Sequence, residues 1–112
     1  MRLGFPRSRR ITGSSDIERV LRSGQRLGGR LLDVKRLDSA LGYVRVGLVV
    51  PKLGFSAVQR NRLKRRLREL TRQHLIPLAA SSDVLLRAKR DTYAASFDSL
   101  RAEVVRVASL LT

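Results

Sequence analysis

Between residues 56 and 74 apolar side chains return at helical spacing. At about 3.6 residues per turn, Leu63, Leu67, Leu70 and His74 share one stripe, while Asn61, Arg65, Arg68 and Arg72 lie on the opposite face. Pro77 then ends the pattern. Residues 43–50 alternate instead, with Val44, Val46, Leu48 and Val50 on one side, as a half-buried strand requires. Residues 30–37 are also strand-like, and the polar stretch 38–42 between the two predicts a hairpin turn. Residues 83–88 form a further strand, so strand, helix, strand predicts two parallel neighbours joined by a crossover around the central helix. Near the N-terminus, Ser15 with Glu18 predicts a capping box, Ile17, Val20 and Leu21 an apolar stripe, and Gly24 the stop of a short helix. Ser96 caps a last helix whose Phe97, Leu100, Val104, Val107, Ala108 and Leu111 are expected in the core. The element order α-β-β-α-β-α and a length of 112 residues predict one α+β domain, residues 1–112.

Composition narrows the partner. The chain carries 24 Lys and Arg against 9 Asp and Glu, a formal charge of +15, and such a field attracts polyanions. Three Phe, two Tyr and no Trp leave the core to aliphatic side chains. The absence of Cys excludes disulfides, thiolate metal sites and zinc fingers. Residues 1–12 hold Arg2, Arg7, Arg9 and Arg10 with Gly4 and Pro6 and no periodicity, which predicts a flexible basic arm. With no signal-peptide apolar run and no window of membrane-spanning length, a cytoplasmic protein is expected.

The central helix concentrates the charge. From Arg60 to Arg72 it has seven basic residues, six of them Arg, and Glu69 as its one acid. A face kept for solubility would interleave acids at three or four residues to relieve repulsion, so an anionic partner is implied. Guanidinium forks grip phosphate oxygens in pairs and stack on bases. Catalytic constellations are missing by contrast. Asp33, Asp38, Asp83, Asp91 and Asp98 are scattered, most of them at positions that suit turns and caps, and His74 on the apolar stripe reads as a satisfied, partly buried ring. No catalytic residue and no metal ligand are assigned. A duplex DNA reader would need a second insertion helix, and a membrane-surface helix would need aromatic anchors; neither is present.

Arg60-Asn61-Arg62, followed by Lys64-Arg65, Arg68 and Glu69, resembles the RNR signature of the bacterial ribonuclease P protein family. The preceding stretch, from Val46-Gly47 through Lys52, Gly54 and Ala57-Val58, is similar to that family's strand-to-helix segment. Residues 16–24 resemble its first helix and residues 83–90 its last strand and basic turn, so the likeness covers nearly the whole chain. It implies a small mixed sheet of about four strands with three helices, the architecture of the second domain of a small-subunit ribosomal protein. It also implies the rare left-handed crossover, against the general right-handed rule.

The resemblance further implies the protein subunit of ribonuclease P, which assists endonucleolytic removal of the 5′ leader of precursor tRNA. The RNA subunit and its Mg2+ would do the chemistry, and the protein would hold no cofactor of its own. Partners would be ribonuclease P RNA and precursor tRNA, with the isolated protein monomeric. Contact with the catalytic RNA is carried onto Arg60, Asn61, Arg62, Lys64, Arg65 and Arg68. Asn61 has two open roles, backbone satisfaction or RNA contact, and Glu69 is expected to orient arginines. Leader contact is carried onto Ile17, Leu21, Lys35 and Lys52. Where the family has stacking aromatics this chain has Ile17, Leu21 and Lys35, so charge is expected to matter more. Leu53 stands where a basic residue is expected. Phe55 replaces a small residue and would either stack on the leader or pack against the helix. The rival reading is a ribosomal-type or RNA-chaperone protein, which would bind many structured RNAs alike.

Overall fold

The structure is a computed structural model that describes residues 4–112. Its middle strand is β4 (Ser82–Ala88), whose Val84, Leu85 and Leu86 are buried on both faces of the sheet. On one side β4 pairs antiparallel with β2 (Leu32–Asp38), Val34 opposite Leu86. On the other it pairs parallel with β3 (Arg45–Val49), Val46 beside Val84. A short strand, β1 (Gln25–Arg26), pairs antiparallel with β2 at the edge, giving the order β1-β2-β4-β3. The parallel neighbours expected from the sequence are therefore present. The expected hairpin at residues 38–42 is not: β2 and β3 are separated by β4, and the intervening segment spans its end, with Ser39 N–H bonding the Ser81 carbonyl. Alternation specifies which face a side chain takes and not which strand lies alongside.

Three helices cover this sheet. Helices α2 (Ala57–His74) and α3 (Phe97–Leu111) close one face, Leu63, Leu67 and Leu70 joining Leu100, Val104 and Val107 in one core with Leu32, Val34, Val46, Val84 and Leu86. Each such buried side chain contributes roughly 1.5–3 kcal/mol. Phe97, expected in that core, is 37% exposed at the first position of α3, and the buried stripe begins at Leu100.

Helix α1 (Ser14–Ser23) lies on the other face with Ile11. It begins two residues earlier than the capping-box reading requires: Gly13 is the cap, its carbonyl accepting from Ile17 N–H, and no side chain closes the end. Gly24 does stop the helix, its N–H bonding the Val20 carbonyl at 2.8 Å. The described part of the basic arm is docked: Arg7–Arg9 form a 3-10 turn, Arg10 bridges to Val46 and Ile11 is 3% exposed. Phe5 packs against the core, Arg9 lies over the Tyr43 ring and Ile11 N–H bonds the Val46 carbonyl, contacts that periodicity could not signal. The expectation for residues 1–3 lies outside the described residues. Ile11 seats directly over Gly47, where a Cβ would stand 2.9 Å from Leu85 Cδ1 and 3.1 Å from the Ile11 carbonyl.

Candidate nucleic-acid interface

Helix α2 starts at a reciprocal cap. Ser56 Oγ accepts from Gln59 N–H at 3.1 Å and Gln59 Oε1 accepts from Ser56 N–H at 2.8 Å, a Ser-x-x-Gln signal that the sequence carried. Just before it, Gly54 takes φ +86°, a left-handed conformation open to glycine, and turns the chain from the sheet into the helix. The helix is fixed from below by Leu63, Leu67, Leu70 and Thr71, all buried. His74 is half-buried as expected. Its Nε2, however, is enclosed without a hydrogen-bond partner among the described residues, so the ring is packed rather than satisfied.

That anchoring leaves the charge outside. Asn61, Arg62, Arg65 and Arg68 are exposed, and Arg60, Lys64 and Arg66 are partly so. None of these six cations has an ion pair among the described residues. Glu69 binds Arg72 and accepts from Gln73 Nε2 at 2.9 Å, and its hydrogen bonding raises the Arg72 pKa above the ordinary value. Glu69 thus orients Arg72, on the last turns, while Arg60 to Arg68 stay uncompensated.

A second surface lies across the sheet. Lys35 and Leu21 line a cavity of about 220 Å3 beneath α1, with Arg26, Asp33, Leu85 and Arg87. Lys52 lines an adjoining cavity of about 470 Å3 with Val49, Lys89 and Arg90. Asp33 and Arg87 border both, so the two form one trough along the face of alternate strand residues. Lys35 Nζ donates to the Leu21 carbonyl at 2.6 Å, which places a cation at the C-terminal end of α1 where the helix dipole favours it. Ile17 is half-buried and borders neither cavity. Leu53 is 85% exposed at the trough's far end.

Phe55 belongs to the corner between the surfaces. Its ring stacks on Tyr93 with centroids 3.7 Å apart, Arg90 lies over it at 4.7 Å, and Tyr93 Oη donates to the Pro51 carbonyl at 2.6 Å. Arg90 also donates to the Leu53 carbonyl at 2.7 Å. Of the two roles open to Phe55, the geometry is that of local packing. Burial pushes the Tyr93 phenol up, against the lowering effect of Arg60 and Arg90.

Sequence reasoning passed over Arg26, Arg87, Lys89 and Arg90 in the trough. The signal was there for Arg87, the one exposed residue in an otherwise buried strand. It also placed Asp83 among turn and cap aspartates, whereas the structure buries it at 1% exposure in β4. There it accepts from Arg45 Nε at 2.9 Å, Arg45 Nη2 at 2.7 Å and Arg19 Nη2 at 3.1 Å. Hydrogen bonding to Asp83 raises the Arg45 pKa despite desolvation. This network ties α1, which contributes Leu21 to the trough, to β3 and β4. Among the described residues no three His, Cys, Asp or Glu side chains gather as a metal site, and no helix is long and apolar enough to cross a membrane.

Comparison with known proteins places the chain among relatives of one family and one fold. The ribonuclease P family pattern matches residues 5–111. The ribonuclease P protein component of Acidothermus cellulolyticus is 37% identical over 110 residues, covering 96% of this chain and 92% of the relative. That of Syntrophomonas wolfei is 31% identical over 98 residues, 88% of this chain and 82% of the relative. In fold, the RNase P protein of Thermotoga maritima superposes with a TM-score of 0.80 at 20% identity, covering 92% of this chain and 97% of that one. The Staphylococcus aureus RNase P protein does so with a TM-score of 0.78 at 22% identity, covering 93% and 98%.

Proposed function

The chain belongs to the ribonuclease P protein family, and on that premise we propose that α2 docks on the catalytic RNA while the trough under α1 holds the 5′ leader of precursor tRNA. The role of the protein subunit of this ribonuclease follows from the family. What supports the division of labour is the placement of unpaired charge: Arg60, Arg62, Lys64, Arg65, Arg66 and Arg68 surround a helix whose leucines are already spent on the core. Phosphate contacts by such residues release counterions, and six of them supply most of the affinity of a modest surface. In this reading Asn61 hydrogen-bonds RNA, supported by its exposure between Arg60 and Arg62.

In the trough, Lys35, Lys52, Arg87 and Arg26 neutralise a single strand, with Leu21 as an apolar shelf in place of a stacking aromatic. In this reading the RNA and its Mg2+ carry out phosphodiester hydrolysis in the cytoplasm. The protein lowers the Mg2+ requirement by screening RNA phosphates, and it retains the substrate through its leader. The test is precursor tRNA cleavage by a bacterial ribonuclease P RNA at low Mg2+, with this protein, with none, or with an equally basic control. Stimulation by this protein alone, at the mature 5′ end, is expected. Equal stimulation by the control would reduce the protein to a general basic RNA binder.

A further inference from the structure

Among the described residues Asp33 is the one acid bordering the trough; the other charged residues along it are Arg26, Lys35, Lys52, Arg87, Lys89 and Arg90. A carboxylate in that place repels phosphate, so a surface kept for backbone neutralisation alone would do better without it. Its neighbours engage it only electrostatically: Arg26 Nη2 at 3.6 Å and Lys89 Nζ at 3.8 Å form long ion pairs with Asp33 Oδ1 beyond hydrogen-bond distance, and Lys89 Nζ donates instead to the Gly29 carbonyl at 2.9 Å. Asp33 shares its strand face with Lys35 and sits in register with Arg87, at the junction of the two cavities. Its side chain is 38% exposed, and among the described residues nothing donates a hydrogen bond to its carboxylate.

We infer that Asp33 reads a guanine in the single-stranded leader, its two carboxylate oxygens accepting from guanine N1–H and N2–H; this rests on the leader lying in the trough. Guanine alone presents two parallel donors on its pairing edge. Adenine and cytosine present one amine beside an acceptor, and uracil one N–H between two acceptors. Leu21 and Leu85 form the apolar side of the same cavity against which a base plane can rest, while Lys35 and Arg87 flank it for the adjoining phosphates.

The experiment uses holoenzyme reconstituted with ribonuclease P RNA, and precursor tRNAs with an oligouridine leader in which a single guanine is moved through each position. Affinities are compared with tRNA lacking a leader, for the wild type and for Asp33→Asn. The Asn side chain keeps the shape and replaces one acceptor by a donor. At one leader position guanine should bind about tenfold more tightly than uracil, as a charged hydrogen bond warrants, and in Asp33→Asn the ratio should fall to within about twofold. The ratio is insensitive to the uniform gain in affinity that removing a negative charge brings. No guanine preference, or one that persists in Asp33→Asn, overturns the assignment while leader-dependent affinity leaves the trough in place. If the leader adds no affinity at all, the trough reading itself falls, and this inference with it.

Discussion

In Asp83→Asn the side chain keeps its shape but loses the charge that Arg45 and Arg19 share. Breaking a buried ion pair by removing one partner costs about 3–5 kcal/mol, because the remaining charge is left uncompensated. Arg45 is 17% exposed and retains Asp16 at 3.7 Å, and the Asn oxygen still accepts one bond, so the expected loss is about 2–3 kcal/mol. At about 2.1 cal/mol/K of unfolding entropy per residue, the 112 residues convert this to a fall in Tm of about 8–13 °C. Thermal and urea unfolding followed by far-ultraviolet circular dichroism measure it, alongside Arg45→Met and the double variant. The double variant should cost less than the sum of the singles by about 1 kcal/mol or more, since both halves of one pair are then removed. Because Arg19 joins α1 to the same carboxylate, the affinity gained from a leader should fall more than the affinity for the catalytic RNA. A loss below about 0.5 kcal/mol, or an additive cycle, would refute the account of Asp83 as the tie between α1 and the sheet.

Two further outcomes follow from α2. Replacing Arg65 or Arg68 by Gln should leave Tm near wild type, since neither has an ion pair among the described residues, and should flatten the log-log salt dependence of RNA binding by about 0.7–0.9 per lost phosphate contact; an unchanged slope in both counts against α2 as the docking face. Ser56→Ala removes one half of the reciprocal cap and should lower stability by about 1 kcal/mol in urea unfolding, with no measurable loss pointing to a helix that starts without it.

Much of this molecule could be read from spacing, and what escaped has physical reasons. Helix α2 ends at His74 as predicted because Pro77 cannot continue it, and its docked stripe follows from Leu63, Leu67 and Leu70 alone. The basic face was equally visible, since unrelieved like charge along one helix needs no tertiary information. Strand neighbours were another matter: Val44, Val46 and Val50 identify an inner face, yet nothing in their alternation says that β4 would separate β3 from β2. The trough is assembled from Leu21, Lys35 and Arg87 on three elements and Lys52 in the loop before α2, so its outline exists only after folding. Asp83 looked like a turn residue because an aspartate at the head of an apolar run usually is one; its partner Arg45 stands 38 positions earlier, in register only once β3 and β4 pair.

The sheet order also dictates when this protein can fold during its synthesis. Strands β2 and β3 are made first but do not touch, and both bond to β4, which is completed at residue 88 of 112. Until that segment has left the ribosome the earlier strands have open edges, and the leucines of α2 have no finished surface to settle on. Most of the chain must therefore wait, as a nascent polycation, for long-range closure that is entropically slow. An RNA that engages α2 during this interval would meet a helix not yet held by its core, so association and folding of the subunit are timed by the arrival of its last strand.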